Sequence, residues 1–265
     1  MRGYRSDEDE MIELPSKKIK ASRINPRSII LFGKPKIGKS TALSQLDDCL
    51  IIDLEGGTDY LDALKIDVLK LSKEQSVPPI KVLKQVINKL KEANSEKGSY
   101  VYKYGAIDTI SVLEDMVMPI ALSLYKNTVQ GRNFQGDNVL DLPNGAGYQY
   151  TRTALWTVLE ELEKCFETLI ILAHLKDKLL EKEGKEMTER GIDLIGKSAA
   201  ILSANVDAIG YMYREDNQTI VNFKPSESVT CGSRCDHLKD KKIVLIESNE
   251  SGELTVDWTN IFKKE

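Results

Sequence analysis

One stretch limits this chain more than any other: Gly33-Lys34-Pro35-Lys36-Ile37-Gly38-Lys39-Ser40-Thr41. It satisfies the phosphate-binding pattern G-x-x-x-x-G-K-[ST] at every fixed position. An apolar run, Ser28-Ile29-Ile30-Leu31-Phe32, precedes it, and residues 39–46 read as a helix. This strand–loop–helix order is the context the motif needs, because backbone N–H groups of the turn and of the helix start then converge on one anion. Gly33 and Gly38 supply backbone angles that a side chain would obstruct. Lys39 is expected to reach the β- and γ-phosphates, and the Ser40 hydroxyl to bind Mg²⁺. Lys34 and Lys36 add positive potential, and Pro35, Ile37 and Thr41 complete the nucleotide-binding loop.

The rest of the chain alternates in the same manner. Strands are expected at residues 28–32, 50–54, 66–71, 101–110 and 168–173, with helices after the loop, from about Thr58, and over 79–93, 112–125 and 148–166. Residues 127–147 are polar and glycine-rich, and the charged segment 176–190 reads as a loop or exposed hairpin. A helix near 197–204 is followed by strands near 207–214, 218–223, 243–246 and 254–258. Strands alternating with helices predict an α/β fold: a mostly parallel central sheet flanked by helices, with a β-rich C-terminal part. Residues 1–22, polar and of mixed charge, read as a mobile arm before a single domain spanning 23–265.

Three further residues carry chemistry at strand ends, where open α/β sheets bind ligands. Asp108 closes Gly105-Ala106-Ile107-Asp108 and is the expected second Mg²⁺ ligand; its bland alternative is a cap for the helix that follows. Glu55 follows the run Cys49-Leu50-Ile51-Ile52-Asp53-Leu54 and is placed to orient water as a general base. It lies further into the loop than Asp53, and is favoured over it for that reason. His174 closes Thr168-Leu169-Ile170-Ile171-Leu172-Ala173, as either a sensor of the γ-phosphate or a satisfied structural histidine.

Bulk properties exclude some classes. With 41% hydrophobic and 29% charged residues and a net charge of −4, the chain is not coated in basic surface. No run reaches the length of a membrane span, and MRGYRSDEDEMIEL lacks a signal peptide's apolar region, so the expected compartment is the cytoplasm. Cys231, Cys235 and His237 offer three zinc ligands without a fourth nearby, which favours thiols in a turn over a metal site.

The order of Gly33–Thr41, Ile52-Asp53-Leu54-Glu55-Gly56-Gly57, Ala106-Ile107-Asp108-Thr109 and Leu172-Ala173-His174 resembles the RecA/RadA ATPase core. The resemblance implies a RecA-like P-loop NTPase using ATP and Mg²⁺, with Glu55 and Lys39 catalytic, Asp108 as the Walker B residue and His174 as the sensor. The family usually carries glutamine at that last position. Residues 33–41, 53–64, 149–162, 172–178 and 193–211 further resemble a phage-encoded branch of short RecA-like nucleotide-binding proteins, some of them single-strand annealing proteins. That branch implies single-stranded DNA and a homo-oligomer, ring or filament, as partners. It adds a single-strand DNA-binding protein, no membrane, and the cytoplasm of a bacterial host.

Two segments are candidates for DNA contact. Residues 127–152 hold Arg132, Phe134, Tyr148, Tyr150 and Arg152 among glycines, a mixture suited to stacking on bases and touching phosphates. Residues 176–190 hold five basic and five acidic residues, a weaker electrostatic footprint. Lys224 and Arg234 are candidates for a basic residue acting in the neighbouring subunit's site. The leading expectation is an ATPase acting on single-stranded DNA in recombination or replication. The alternatives are a P-loop kinase of small molecules, for which no arginine-rich lid stands out, and a nucleotide-gated loader or scaffold with slow turnover.

Overall fold

A computed structural model describes residues 14–182 and 185–264, without the side chains of residues 180–187. Of the arm expected over 1–22, residues 1–13 lie outside the described residues, while 14–22 are exposed and carry neither helix nor strand.

The strands are β1 (Ser28–Gly33), β2 (Cys49–Asp53), β3 (Leu64–Asp67), β4 (Tyr104–Asp108), β5 (Thr168–Lys182), β6 (Lys185–Ile192), β7 (Ala208–Glu215), β8 (Gln218–Asn222), β9 (Gly232–Ser233), β10 (Lys242–Ser248) and β11 (Leu254–Val256). The helices are α1 (Lys39–Ser44), α2 (Val68–Gln75), α3 (Pro79–Lys97), α4 (Ile110–Lys126), α5 (Ala146–Glu163) and α6 (Ser198–Asn205), with short 3₁₀ turns at Val139–Asp141 and Pro143–Gly145. The sheet runs β11-β10-β8-β7-β1-β5-β4-β2-β3. From β7 to β3 every neighbouring pair is parallel, and from β7 to β11 every pair is antiparallel. This is the expected α/β class: a mostly parallel sheet with a β-rich C-terminal part.

The central strands read as unbroken apolar runs because both of their faces are buried. Ile30, Phe32, Ile52, Ile107 and Ile171 point to a core shared with α2–α5, whereas Ile29, Leu31, Ile51, Ala106 and Ile170 point to one shared with α1. The chain's end completes the second core. Trp258 donates its indole N–H to Ala42 O at 2.8 Å, and Phe262 packs on both Trp258 and Tyr104.

Several boundaries differ from expectation. Residues 66–71 are not one strand: Asp67 Oδ1 accepts from Lys70 N at 2.8 Å, and this cap starts α2 at Val68. No helix begins at Thr58, since residues 58–63 are turns tied down by the Lys65 ammonium on the carbonyls of Thr58 and Leu61. The strand expected over 254–258 stops at Val256, where Asp257 accepts from Thr259 N and Oγ1 and turns the chain. Segment 176–190 is a hairpin: β5 runs past the sheet edge and pairs antiparallel with β6. Among the described residues no helix is long and apolar enough to cross a membrane.

Candidate active site

All the strand ends singled out above lie on one edge of the sheet. Gly33 pairs with His174 on one side and Met212 on the other, and Asp53 pairs with Asp108. Strand β5 separates β1 from β4, so the phosphate loop and Asp108 are not on adjacent strands. His174 therefore stands between them.

The loop's glycines are required by its surroundings. A Cβ on Gly33 would stand 2.6 Å from Met212 O, a backbone atom of the neighbouring strand. Gly38 has φ +99°, in the left-handed region, and caps α1. The loop is also buttressed from the C-terminal strands: Thr219 Oγ1 donates to Ile37 O at 3.3 Å, and Ile246 Cδ1 lies 2.7 Å from where a Gly38 Cβ would be. Sequence patterns pointed to neither residue, because both come from β-strands remote in the chain.

Lys39 is buried and folds back on its own loop, donating to Gly33 O at 3.1 Å and Lys34 O at 3.0 Å. Burial pushes its ammonium below the ordinary lysine value, against the pull of the Asp108 and Glu55 carboxylates. Ser40 Oγ donates to Asp108 Oδ2 at 2.5 Å. Burial raises the Asp108 carboxyl; the Ser40 hydroxyl opposes this, Glu55 and Asp53 add to it, and Lys39 opposes it. A hydroxyl and a carboxylate brought together beside a phosphate cradle are hard oxygen donors that suit Mg²⁺. Among the described residues no group of three or more His, Cys, Asp or Glu forms a metal cluster, so any Mg²⁺ here would draw its remaining ligands from nucleotide and water.

Asp53 and Glu55 divide their work. Asp53 is buried and accepts from the N–H groups of Glu55, Gly56, Gly57 and Thr58 and from Thr58 Oγ1. Burial acts to raise its carboxyl, but the Thr58 hydroxyl and N–H and the N–H groups of Glu55 and Gly56 outweigh this and hold it below the usual range. Asp53 thus builds the turn that carries Glu55. Glu55 Oε1 in turn receives Thr109 Oγ1 at 2.5 Å and His174 Nε2 at 2.8 Å. The Glu55 carboxylate can only accept, so His174 Nε2 is the donor of this bond, while the buried Nδ1 has no partner among the described residues.

Behind His174 the contacts continue into the following segment. His174 O accepts from Asp193 N at 3.0 Å, Asp193 O accepts from Ser111 Oγ at 2.9 Å, and Lys176 pairs with Asp193 at 2.8 Å. Glu114 of α4 is buried and accepts from Ile195 N at 2.8 Å. The strand end, the start of α4 and the exit of the β5–β6 hairpin form one hydrogen-bonded unit.

The outlying candidates fare differently. Phe134 and Tyr150 are turned inward, both packing edge-on against Tyr125, with ring centroids 5.9 Å and 5.4 Å away. Both rings are half-buried in this packing, so each is held by Tyr125 and keeps part of its surface in solvent. Arg132 and Tyr148 are exposed, and Arg152 is half-buried on α5. Lys224 is exposed just past β8. Arg234 lies beside β9, which pairs with the first residues of β7, on the sheet edge opposite the loop; it donates to Ala204 O and pairs with Asp207 at 3.5 Å. Cys231 Sγ donates to Lys224 O and His237 Nε2 meets Ile261 O, so those two would-be zinc ligands serve separate carbonyls.

Residues 25–235 match the AAA_24 family, described as an AAA domain. No curated protein matches the sequence. Among solved structures, a RadB recombinase is 12% identical with a TM-score of 0.39, over 86% of this chain and 90% of its own. A KaiC-like protein from the hyperthermophilic archaeon Pyrococcus horikoshii OT3 is 14% identical with a TM-score of 0.40, over 87% of this chain and 89% of its own.

Proposed function

The chain belongs to the AAA_24 family of AAA domains, and from that premise we propose that it is a Mg²⁺-dependent ATPase, homo-oligomeric when active, acting on single-stranded DNA in phage-type recombination or annealing. The observation that carries the ATPase part is the convergence of Lys39, Asp108, Glu55 and His174 on one sheet edge, with Glu55 hydrogen-bonded to His174. The DNA part rests on the sequence resemblance alone.

Each residue has a definite task in this reading. The loop's backbone N–H groups bind the polyphosphate, and Lys39 moves from the carbonyls of Gly33 and Lys34 onto the β- and γ-phosphates. Ser40 and Asp108 would hold Mg²⁺, which neutralises charge developing on the phosphates. Glu55 orients a water in line with the γ-phosphorus and takes its proton. His174 shares Glu55 Oε1, so a change at the γ-phosphate shifts the histidine and, through Asp193 and Lys176, the hairpin beyond it.

The test is ATP hydrolysis with and without single-stranded DNA, together with sizing in ATP and in ADP. Lys39→Ala is expected to abolish turnover. Glu55→Gln is expected to bind ATP but lose about 10²- to 10⁴-fold in rate, the usual share of a general base. Normal turnover by Glu55→Gln removes that residue from its role. Turnover that DNA does not stimulate removes the nucleic acid and leaves the ATPase.

A further inference from the structure

We propose that Thr109 is the positioning residue for Glu55: its hydroxyl, instead of capping the helix it precedes, anchors one oxygen of the carboxylate and leaves the other for water. The proposal rests on the reading of Glu55 as the base.

Thr109 occupies the N-cap position of α4, with φ −126° and ψ 169°. A threonine there ordinarily accepts a hydrogen bond from a backbone N–H in the first turn. This one makes no side-chain cap bond. It is fully buried, and its Oγ1 donates to Glu55 Oε1 at 2.5 Å. The local structure thus gives up a cap at the one helix that starts beside Asp108, and directs the hydroxyl across to β2's turn.

Glu55 needs such an anchor. Asp53 pins its main chain through the bond from Glu55 N at 2.9 Å, but does nothing to fix the side-chain torsions. Of the two groups that do, His174 is 29% exposed and stands where β5 leaves for the hairpin, whereas Thr109 is enclosed and stiff at χ1. Both donate to Oε1, and Oε2 receives no hydrogen bond from the described residues. One oxygen is therefore tethered while the other keeps its lone pairs for the attacking water. A general base works only within a narrow range of positions, so losing the enclosed tether lowers the rate without weakening nucleotide binding.

The experiment compares Thr109→Val and Thr109→Ser, alone and combined with Glu55→Gln, by steady-state hydrolysis of Mg·ATP and by titration with a fluorescent ATP analogue. Thr109→Val is expected to lower kcat at least about tenfold, with analogue affinity within about twofold of wild type. Thr109→Ser, which keeps the hydroxyl, is expected to retain most of the rate. In the Glu55→Gln background, Thr109→Val is expected to cost nothing further, because the group it positions is gone. If the valine variant does not fold, Thr109→Ala, which adds no bulk, is read by the same criteria. A wild-type kcat for Thr109→Val, a loss of affinity in step with the rate, or a further loss in the Glu55→Gln background each overturns the proposal. Glu55→Gln inactive with Thr109→Val fully active does so while leaving Glu55 as the base; Glu55→Gln fully active removes Glu55 from that role, and the positioning of it by Thr109 falls with it.

Discussion

His174 Nε2 lies 2.8 Å from Glu55 Oε1, although the two residues are 119 positions apart in the chain. The pair joins the turn that follows β2 to the strand that continues into the β5–β6 hairpin. Glu55 is thus hydrogen-bonded to a residue whose neighbours leave the sheet.

Replacing His174 tests that link. His174→Ala is expected to lower kcat about tenfold with ATP affinity within about threefold, as for loss of an orienting contact. His174→Gln, whose amide also donates, is expected to recover most of the loss. Steady-state kinetics alongside nucleotide titration separate the two constants. Equal kcat for wild type and His174→Ala would detach the histidine from the base.

Asp53 is expected to behave as a structural residue with a pH signature. Asp53→Ala removes an acceptor of five hydrogen bonds and is expected to cost about 1–3 kcal/mol of stability at neutral pH. Its folded carboxyl lies below the usual range, so its contribution is complete above the ordinary aspartate value and is lost as pH falls through the folded one. The gap in melting temperature between wild type and variant is therefore expected to narrow as pH falls below about 4, the ordinary aspartate value. A gap that does not narrow there would count against this role.

Gly38→Ala probes why the loop needs glycine. The contact a methyl would make is with the flexible end of Ile246, but φ +99° is unfavourable for any side chain. Gly38→Ala is expected to lose the rise in melting temperature that Mg·ATP gives wild type, and adding Ile246→Ala is expected not to restore it. Restoration by the double variant would show that the clash, not the dihedral, sets the requirement.

The loop before α5 separates packing from contact. Phe134→Ala empties a half-buried site against Tyr125 and is expected to lower the melting temperature by about 2–6 °C. Arg132→Ala, at an exposed position, is expected to leave melting unchanged and to weaken single-stranded DNA binding with a shallower salt dependence. Fluorescence anisotropy at two salt concentrations gives that comparison. Unaltered anisotropy would take this loop out of the DNA-binding surface.

What the sequence determined by itself is local. The phosphate loop, the apolar strands and the α/β class are legible because each is written in consecutive residues: glycines where backbone angles demand them, and unbroken apolar runs where both sheet faces are covered. Glu55, Asp108 and His174 could be picked out because each ends such a run. What only the tertiary structure decided is which of these residues touch. Strand order is a long-range property, and inserting β5 between β1 and β4 is what brings His174 to Glu55. Whether Thr109 caps a helix or holds Glu55, whether Asp53 builds a turn or does chemistry, and whether Phe134 faces Tyr125 or solvent all depend on partners far away in the chain. An aspartate, a threonine or a phenylalanine has the same options in any sequence; the packing around it selects one.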